Sequence, residues 1–318
     1  MSALRVGLVG ARRRRQGLGP FVARDLVAAG AEVPCFVATS EATLRSALPA
    51  LREYAGISPR GYLDLRAMLE AESLDALAIL SPPEFHARHL EIAAEAGLHV
   101  LCEKPFVWDD PDPLGRCRAL LEAFTSQRLL VWENCQWPYT LTGFEALHPG
   151  GLAHPPRHFE MELAPISSGR KMLGDALPHP ISLLQTLCPG GSARAEAVQV
   201  HRETSDASAL TLRFQYRTDA HSCEVEIRLE RSEAPPRRAA YAIDGQRARR
   251  VVSPQGYQLS FADSDRSVPI ADPLAQLVAD FVAALRSAGH DGAMARAHQI
   301  QERQHLLIAL VNAYEETL

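Results

Sequence analysis

The sequence predicts an α/β protein: an N-terminal domain of βαβ units on a parallel sheet, followed by a second part with a mostly antiparallel sheet covered on one side. Three observations predict it. Short apolar runs alternate with helical patterns over the first third of the chain. Later segments switch to a period-two alternation of charged and apolar residues. A glycine-bounded stretch, GARRRRQGLG (10–19), follows the first apolar run. Strands separated by helices of this length argue for βαβ units. A chain of 318 residues suits two cores better than one.

LRVGLVG (4–10) reads as a buried strand, and PFVARDLVAAG (20–30) as a helix with Pro20 in a tolerated early position and Gly30 as its stop. AEVPCFVAT (31–39) reads as the next strand, although Pro34 conflicts with a central ladder position. A helix over about 41–54, a turn at ISPRGY (57–62) and a short helix over 63–72 follow. LDALAILSPP (74–83) is a buried strand ended by prolines, and EFHARHLEIAAEAG (84–97) has helical spacing and a terminal glycine. LHVLCEKPF (98–106) is strand and loop, residues 113–124 are helical, and LLVWEN (129–134) is the last parallel strand.

Beyond it, segments 155–163, 195–203, 208–217, 222–232, 237–245 and 248–254 read as strands. Glu224, Glu226, Arg228 and Glu230 alternate with Val225, Ile227 and Leu229, which gives one wet face and one packed face. Two helical patterns, 272–289 and 293–318, close the chain. The expected domains are therefore 1–130 for dinucleotide binding and 131–318 for substrate binding and oligomerisation, the final helix being a candidate to pack back on the first domain.

The composition is 47% hydrophobic and 22% charged, ordinary for a soluble globular protein. A net charge of -5 argues against a general nucleic-acid binder, whose only support is the RRRR run. None of the six cysteines forms a CxxC pair, and no apolar run reaches membrane-spanning length. The apolar segment at the N-terminus precedes the arginines, the reverse of a secretory signal. A cytoplasmic protein without nucleic-acid or membrane partners is expected.

Three stretches carry candidate chemistry. Ser81, Pro82 and His86 in SPPEFHARH, and Glu103 and Lys104 in LHVLCEKPF, fall at the carboxyl ends of parallel strands, where open α/β sheets bind ligands. A strand-end lysine can hydrogen-bond or protonate a reacting oxygen. His86 and His89 read equally as capping or surface histidines, without a third group to complete a metal site, and Glu103 and Lys104 as a surface ion pair. In GRKMLGDALPHPISLLQ (169–185), Asp175 and His179 share a helical spacing that Pro178 and Pro180 disturb, so an irregular turn starting a helix near Pro180 is expected. A histidine held by an acid can move a proton; equally, the Asp can cap the helix and the His bind backbone. Asn134, Gln136, Trp137 and Tyr139 mix hydrogen-bonding groups with aromatic surface, which suits a ligand pocket or a packed domain junction.

Together these stretches resemble the Gfo/Idh/MocA family, the glucose–fructose oxidoreductase and inositol dehydrogenase type. The carriers are VGLVG with its glycine loop, SPPEFHARH, LHVLCEKPF with its EKP signature, and GDALPHPISLL as the D-x-x-x-H segment. The resemblance implies an N-terminal Rossmann dinucleotide-binding domain carrying a nicotinamide cofactor, a C-terminal α/β domain with a large, mostly antiparallel open sheet, and reversible hydride transfer to or from a carbon bearing a hydroxyl or carbonyl in a small, sugar-like molecule. It implies a catalytic Lys104, a His179 general acid/base oriented by Asp175, a cofactor or structural role for Glu103, a cis Pro105, and a homodimer or higher homo-oligomer. Ser81, Pro82, His86, Glu103 and Lys104 become candidate cofactor contacts. Lys104, Gln136, Trp137, Tyr139, Asp175 and His179 become candidate substrate contacts.

The chain departs from the family pattern at three places. The usual G-x-G-x-x-G would put glycines at 10, 12 and 15; here Gly10 is followed by Arg12, Arg13, Arg14 and Arg15, then by Gly17 and Gly19. Ser182 stands where the family often has an acid. Thr39 and Ser40 stand where an NAD-specific chain would offer a carboxylate to the ribose. Hydroxyls and guanidinium groups suit the extra phosphate of NADP, so NADP is expected over NAD, with Gly10, Arg12–Arg15, Gly17, Gly19, Thr39 and Ser40 as cofactor residues and Arg45 as a helper. The irregular glycine loop leaves open a ligand-binding or structural protein of the same fold without hydride transfer.

Overall fold

The computed structural model describes residues 3–11, 17–253, 258–287 and 292–318. By their contacts, residues 1–134 with 274–301 form one compact unit, and residues 135–273 with 302–318 form a second.

The first unit runs β1 (Val6–Val9), α1 (Gly19–Ala28), β2 (Cys35–Val37), α2 (Glu41–Ala55), β3 (Arg60–Tyr62), α3 (Leu65–Ala71), β4 (Ala76–Ile79), α4 (His86–Glu95), β5 (His99–Cys102), α5 (Pro113–Ser126) and β6 (Val131–Glu133). The strands form one sheet in the order β3-β2-β1-β4-β5-β6, every pair parallel. All residues of β1 and β4 are buried, which is why their sequences are unbroken apolar runs rather than alternations. The chain order reverses between β1 and β4, the switch point beside which such sheets bind ligands.

Two local expectations change. Pro34 does not interrupt a strand, because β2 begins only at Cys35, and the Pro34 carbonyl accepts from the Arg60 amide at 2.9 Å. ISPRGY is not merely a turn: Arg60–Tyr62 pairs with β2 as an edge strand. Three residues with an exposed arginine carry no periodic signal, so pattern reading had nothing to detect.

In the second unit α6 (Leu141–Leu147) precedes β7 (His158–Leu163), α7 (Gly169–Ala176), α8 (Pro178–Leu187), β8 (Arg194–Arg202), β9 (Ala209–Arg217), β10 (Ser222–Glu230), β11 (Ala239–Ile243), β12 (Gln246–Val252), β13 (Leu259–Ala262) and β14 (Ser267–Ile270). Its sheet is ordered β14-β13-β12-β11-β7-β10-β9-β8. Only β7 with β10 is parallel; the other ladders are antiparallel. The alternation in β10 sorts as expected: Cys223, Val225, Ile227 and Leu229 are buried, Glu224 and Arg228 exposed. Tyr241 centres the packed face, stacked on Phe144 at 5.4 Å and edge-on to Phe261 at 5.5 Å. Across the other face run ion pairs such as Arg247–Glu162 at 2.7 Å.

The chain ends with α9 (Pro273–Arg286) and α10 (Ala293–Glu315). The residues of α10 up to 301 belong to the first unit and those from 302 to the second.

Candidate active site

The carboxyl ends of β1, β2, β4, β5 and β6 assemble the candidate residues of the first unit. Gly10 follows β1 with φ +90°, and a Cβ there would lie 2.9 Å from the Leu80 carbonyl oxygen. Gly19 opens α1 so close to the end of β1 that a Cβ would stand 2.6 Å from the Ala11 Cα. A dinucleotide loop needs glycine at its tight turn and where helix meets strand, and Gly10 and Gly19 meet those two needs. The spacing is therefore stretched rather than lost. Arg12, Arg13, Arg14 and Arg15 lie outside the described residues, between them.

Thr39 and Ser40, after β2, are exposed. Ser40 is the N-cap of α2: its hydroxyl accepts from the Thr43 amide at 3.2 Å. Arg45 pairs one turn along with Glu41 at 3.8 Å.

His86 requires a correction. The sequence reading makes it a cofactor contact, but its side chain is 0% exposed. Nδ1 lies 2.8 Å from the Pro105 carbonyl oxygen and Nε2 2.8 Å from that of Ser81. The ring is spent on joining the two strand-end loops. A neutral imidazole donates only one hydrogen bond; the imidazolium would satisfy both carbonyls, but burial holds the pKa down. His89 accompanies it, Nδ1 3.0 Å from Ser81 Oγ, with its pKa lowered to about 4 by burial and by the neighbouring His86 and Arg88.

The clamped loop carries Glu103 and Lys104, both half-buried, and Lys104–Pro105 is cis. The Asn134 amide, at the end of β6, donates to the Glu103 carboxylate, and the Glu103 amide donates to Ile79 O at 2.8 Å. Burial pushes the Glu103 carboxyl up, against the opposing pull of Lys104 and Asn134. Asn134 is itself 2% exposed, and among the described residues its Oδ1 has no hydrogen-bond partner.

In the second unit, Asp175 lies in the last turn of α7 and His179 in the first turn of α8, the break falling at Leu177. Asp175 and His179 do not share one regular helix, because two short helices meet; the helix expected near Pro180 begins at Pro178, a first-turn position where the missing N–H costs nothing. Both side chains are half-buried. Ser167 Oγ donates to Asp175 Oδ2. Ser182 donates to the His179 carbonyl at 2.7 Å. Trp137, 5% exposed, lies 6.1 Å from the His179 ring and 6.0 Å from that of Tyr241. Gln136 and Tyr139 flank it, half-buried.

Sequence reasoning missed Ser167, Arg237 and Arg250. The Arg250 guanidinium carbon sits 5.6 Å from the Trp137 ring centroid, and an Nη donates to the Arg237 carbonyl at 3.1 Å. Nothing in an RR dipeptide distinguishes such residues from the paired surface arginines around them.

Parallel pairing and the order reversal between β1 and β4 define the sheet of the first unit as a Rossmann fold. Residues 4–135 match the GFO_IDH_MocA model, described as an oxidoreductase family with an NAD-binding Rossmann fold. Over that segment, less than half of its length, the chain is similar to the Gfo/Idh/MocA oxidoreductases. D-apiose dehydrogenase of Paraburkholderia graminis is 33% identical over 129 residues, 40% of this chain and 32% of that protein. D-xylose 1-dehydrogenase (NADP(+)) 2 of Haloferax volcanii is 49% identical over 47 residues, 15% of this chain and 14% of that protein. The matched segments thus span about a third or less of those curated relatives. UDP-N-acetylglucosamine 3-dehydrogenase from Acidithiobacillus ferrooxidans has the same fold over 98% of both chains, with a TM-score of 0.70 at 20% identity.

Among the described residues no group of three or more His, Cys, Asp or Glu could hold a metal, and no helix is long and apolar enough to cross a membrane.

Proposed function

We propose that the protein is an NADP-dependent oxidoreductase that interconverts a hydroxyl and a carbonyl on a small, sugar-like molecule. The observation that carries this reading is Lys104, held half-buried at the end of β5 on a loop clamped by His86, within a segment that matches an NAD-binding oxidoreductase family. The sugar dehydrogenases among its relatives support the substrate class.

Gly10 and Gly19 fit the group as the tight turn and the close helix–strand contact that a pyrophosphate loop needs. The N-terminus of α1 adds amide groups and a favourable dipole. The bound nicotinamide supplies the hydride in reduction and takes it up in oxidation. Lys104 donates a hydrogen bond to the reacting oxygen and stabilises the alkoxide. His179 delivers the proton to that oxygen, or removes it in the reverse direction, with Asp175 orienting the substrate or the ring. Gln136, Trp137 and Tyr139 add polar and aromatic substrate contacts. Ser81, Pro82 and Glu103 line the cofactor's side.

Preference for NADP rests on Thr39 and Ser40, which set no carboxylate against a ribose phosphate, on the N-terminus of α2 that Ser40 caps, and on Arg12–Arg15. Titration with NADPH and NADH tests it: equal affinities, unchanged when the four arginines are neutralised, would exclude the preference. Turnover of aldoses and cyclitols, read by nicotinamide absorbance, tests the reaction. A cytoplasmic homodimer completes the proposal, with sedimentation as its check.

A further inference from the structure

The arginines near Asp175 divide into two kinds. The loop between β10 and β11 carries Arg231, Arg237 and Arg238. Arg231 pairs with Glu233 and also donates to the Ile166 carbonyl at 3.1 Å. Arg238 pairs with Glu230 at 2.5 Å. Arg237 is the half-buried member, and among the described residues no carboxylate comes within ion-pair distance of it. Its electrostatic partner is Asp175, which acts on it from farther away, while burial depresses its pKa. Asp175 in turn is engaged by Ser167.

The loop between β10 and β11 is anchored to the segment that precedes α7. Ser232 N donates to Pro165 O at 2.8 Å, and Arg231 holds Ile166, so the loop is tied to the segment that leads into Ser167 and α7. Arg250, on β12, extends this side: it donates to the Arg237 carbonyl and lies over Trp137, which also neighbours His179 and Tyr241. Arg250 thus lies over Trp137 and holds the backbone of Arg237, whose side chain feels the Asp175 carboxylate. A half-buried guanidinium without an anion is costly. Its fork geometry matches a carboxylate or phosphate through two parallel hydrogen bonds.

We propose that the substrate carries an anionic group, a carboxylate or a phosphate, and that Arg237 pairs with it while Arg250 supports the same subsite. This rests on the proposed function in one respect, that the molecule bound beside His179 is the one oxidised or reduced. Arg237 then sets specificity: a neutral sugar leaves its charge uncompensated, and an anionic one neutralises it.

Calorimetric titration of the full chain, saturated with NADPH, with D-glucose, D-glucuronate and glucose 6-phosphate tests this. At least one anion is expected to bind about tenfold more tightly than D-glucose; which one does so separates carboxylate from phosphate recognition. Arg237→Ala should remove that advantage without changing its thermal midpoint or its NADPH affinity, and Arg237→Lys should restore part of it. The proposal is overturned if neither anion binds better than D-glucose, absence of binding included, or if Arg237→Ala weakens all three sugars alike. Hydride transfer is read separately, by nicotinamide absorbance. Anion preference that depends on Arg237, without turnover of any sugar, upholds the subsite and refutes the reductase reading; turnover without anion preference does the reverse.

Discussion

The loop after β5 and the junction between α7 and α8 hold their polar groups in opposite ways. In the first, backbone does the holding: His86 spans the carbonyls of Ser81 and Pro105, and the Glu103 amide meets Ile79. In the second, side chains meet side chains: Ser167 with Asp175, Trp137 with His179. Backbone-directed contacts survive substitution of neighbouring side chains and fix a loop in one shape. Contacts between half-buried side chains leave polar atoms accessible and can be retuned one residue at a time. On the proposed function, the first region presents Lys104 at a constant position, and the second adapts to a substrate.

The sharpest way to break this contrast is Lys104→Ala. On the proposed chemistry it removes the donor that stabilises an alkoxide, and kcat/KM should fall by about 10³-fold. Nicotinamide affinity should change by no more than about threefold. A loss below about tenfold would remove Lys104 from the chemistry. His179→Asn comes next: loss of the proton carrier should cost about 10²-fold in kcat, with the histidine limb disappearing from the pH–rate profile. A full loss with an unchanged pH dependence would reduce His179 to a packing residue.

The buried histidines give a stability test confined to the first region. His89 has its pKa lowered from 6.5 to about 4, so the folded state binds fewer protons than the unfolded one as pH falls. A depressed value means that the contribution is present above 6.5 and is lost as pH drops through about 4. Partial exposure screens this, leaving on the order of 2 kcal/mol. Urea unfolding across that window should show wild type losing stability more steeply than His89→Gln; equal slopes would mean that the folded state does not discriminate against the charged ring.

Legibility in the sequence divided along physical lines. The parallel strands were visible because strands buried on both faces must be apolar throughout, as in Val6–Val9 and Ala76–Ile79. β10 was visible because one wet face imposes alternation. The edge strand Arg60–Tyr62 was not, since backbone pairing alone creates it. β13 and β14 are hidden for a related reason: unlike the equally short β1 and β4, neither is an unbroken apolar run, Ser260 interrupting one and Pro269 the other. At the site, Lys104 and His179 stood out through motif context. Arg237 could not, because its burial depends on a loop tied to Pro165 and Ile166, far away in the chain. His86 was found but misassigned: sequence placed it at a strand end and could not show that both ring nitrogens face carbonyl oxygens.

The smallest expected effect concerns the end of β2, a third way of holding a polar group. The Ser40 hydroxyl caps α2 through the Thr43 amide, so removing it would confound ligand binding with folding. Ser40→Asp avoids the problem, because aspartate caps a helix as well as serine does. The carboxylate should repel a ribose phosphate and accept from the free ribose hydroxyl, moving the NADPH-to-NADH affinity ratio toward NADH by about tenfold. Thermal unfolding should stay within about 0.5 kcal/mol of wild type, which separates recognition from stability. An unchanged ratio would show that the ribose does not approach α2 at Ser40. The phosphate preference would then rest on Arg12–Arg15, and joint neutralisation of those four arginines should produce the shift that Ser40→Asp did not.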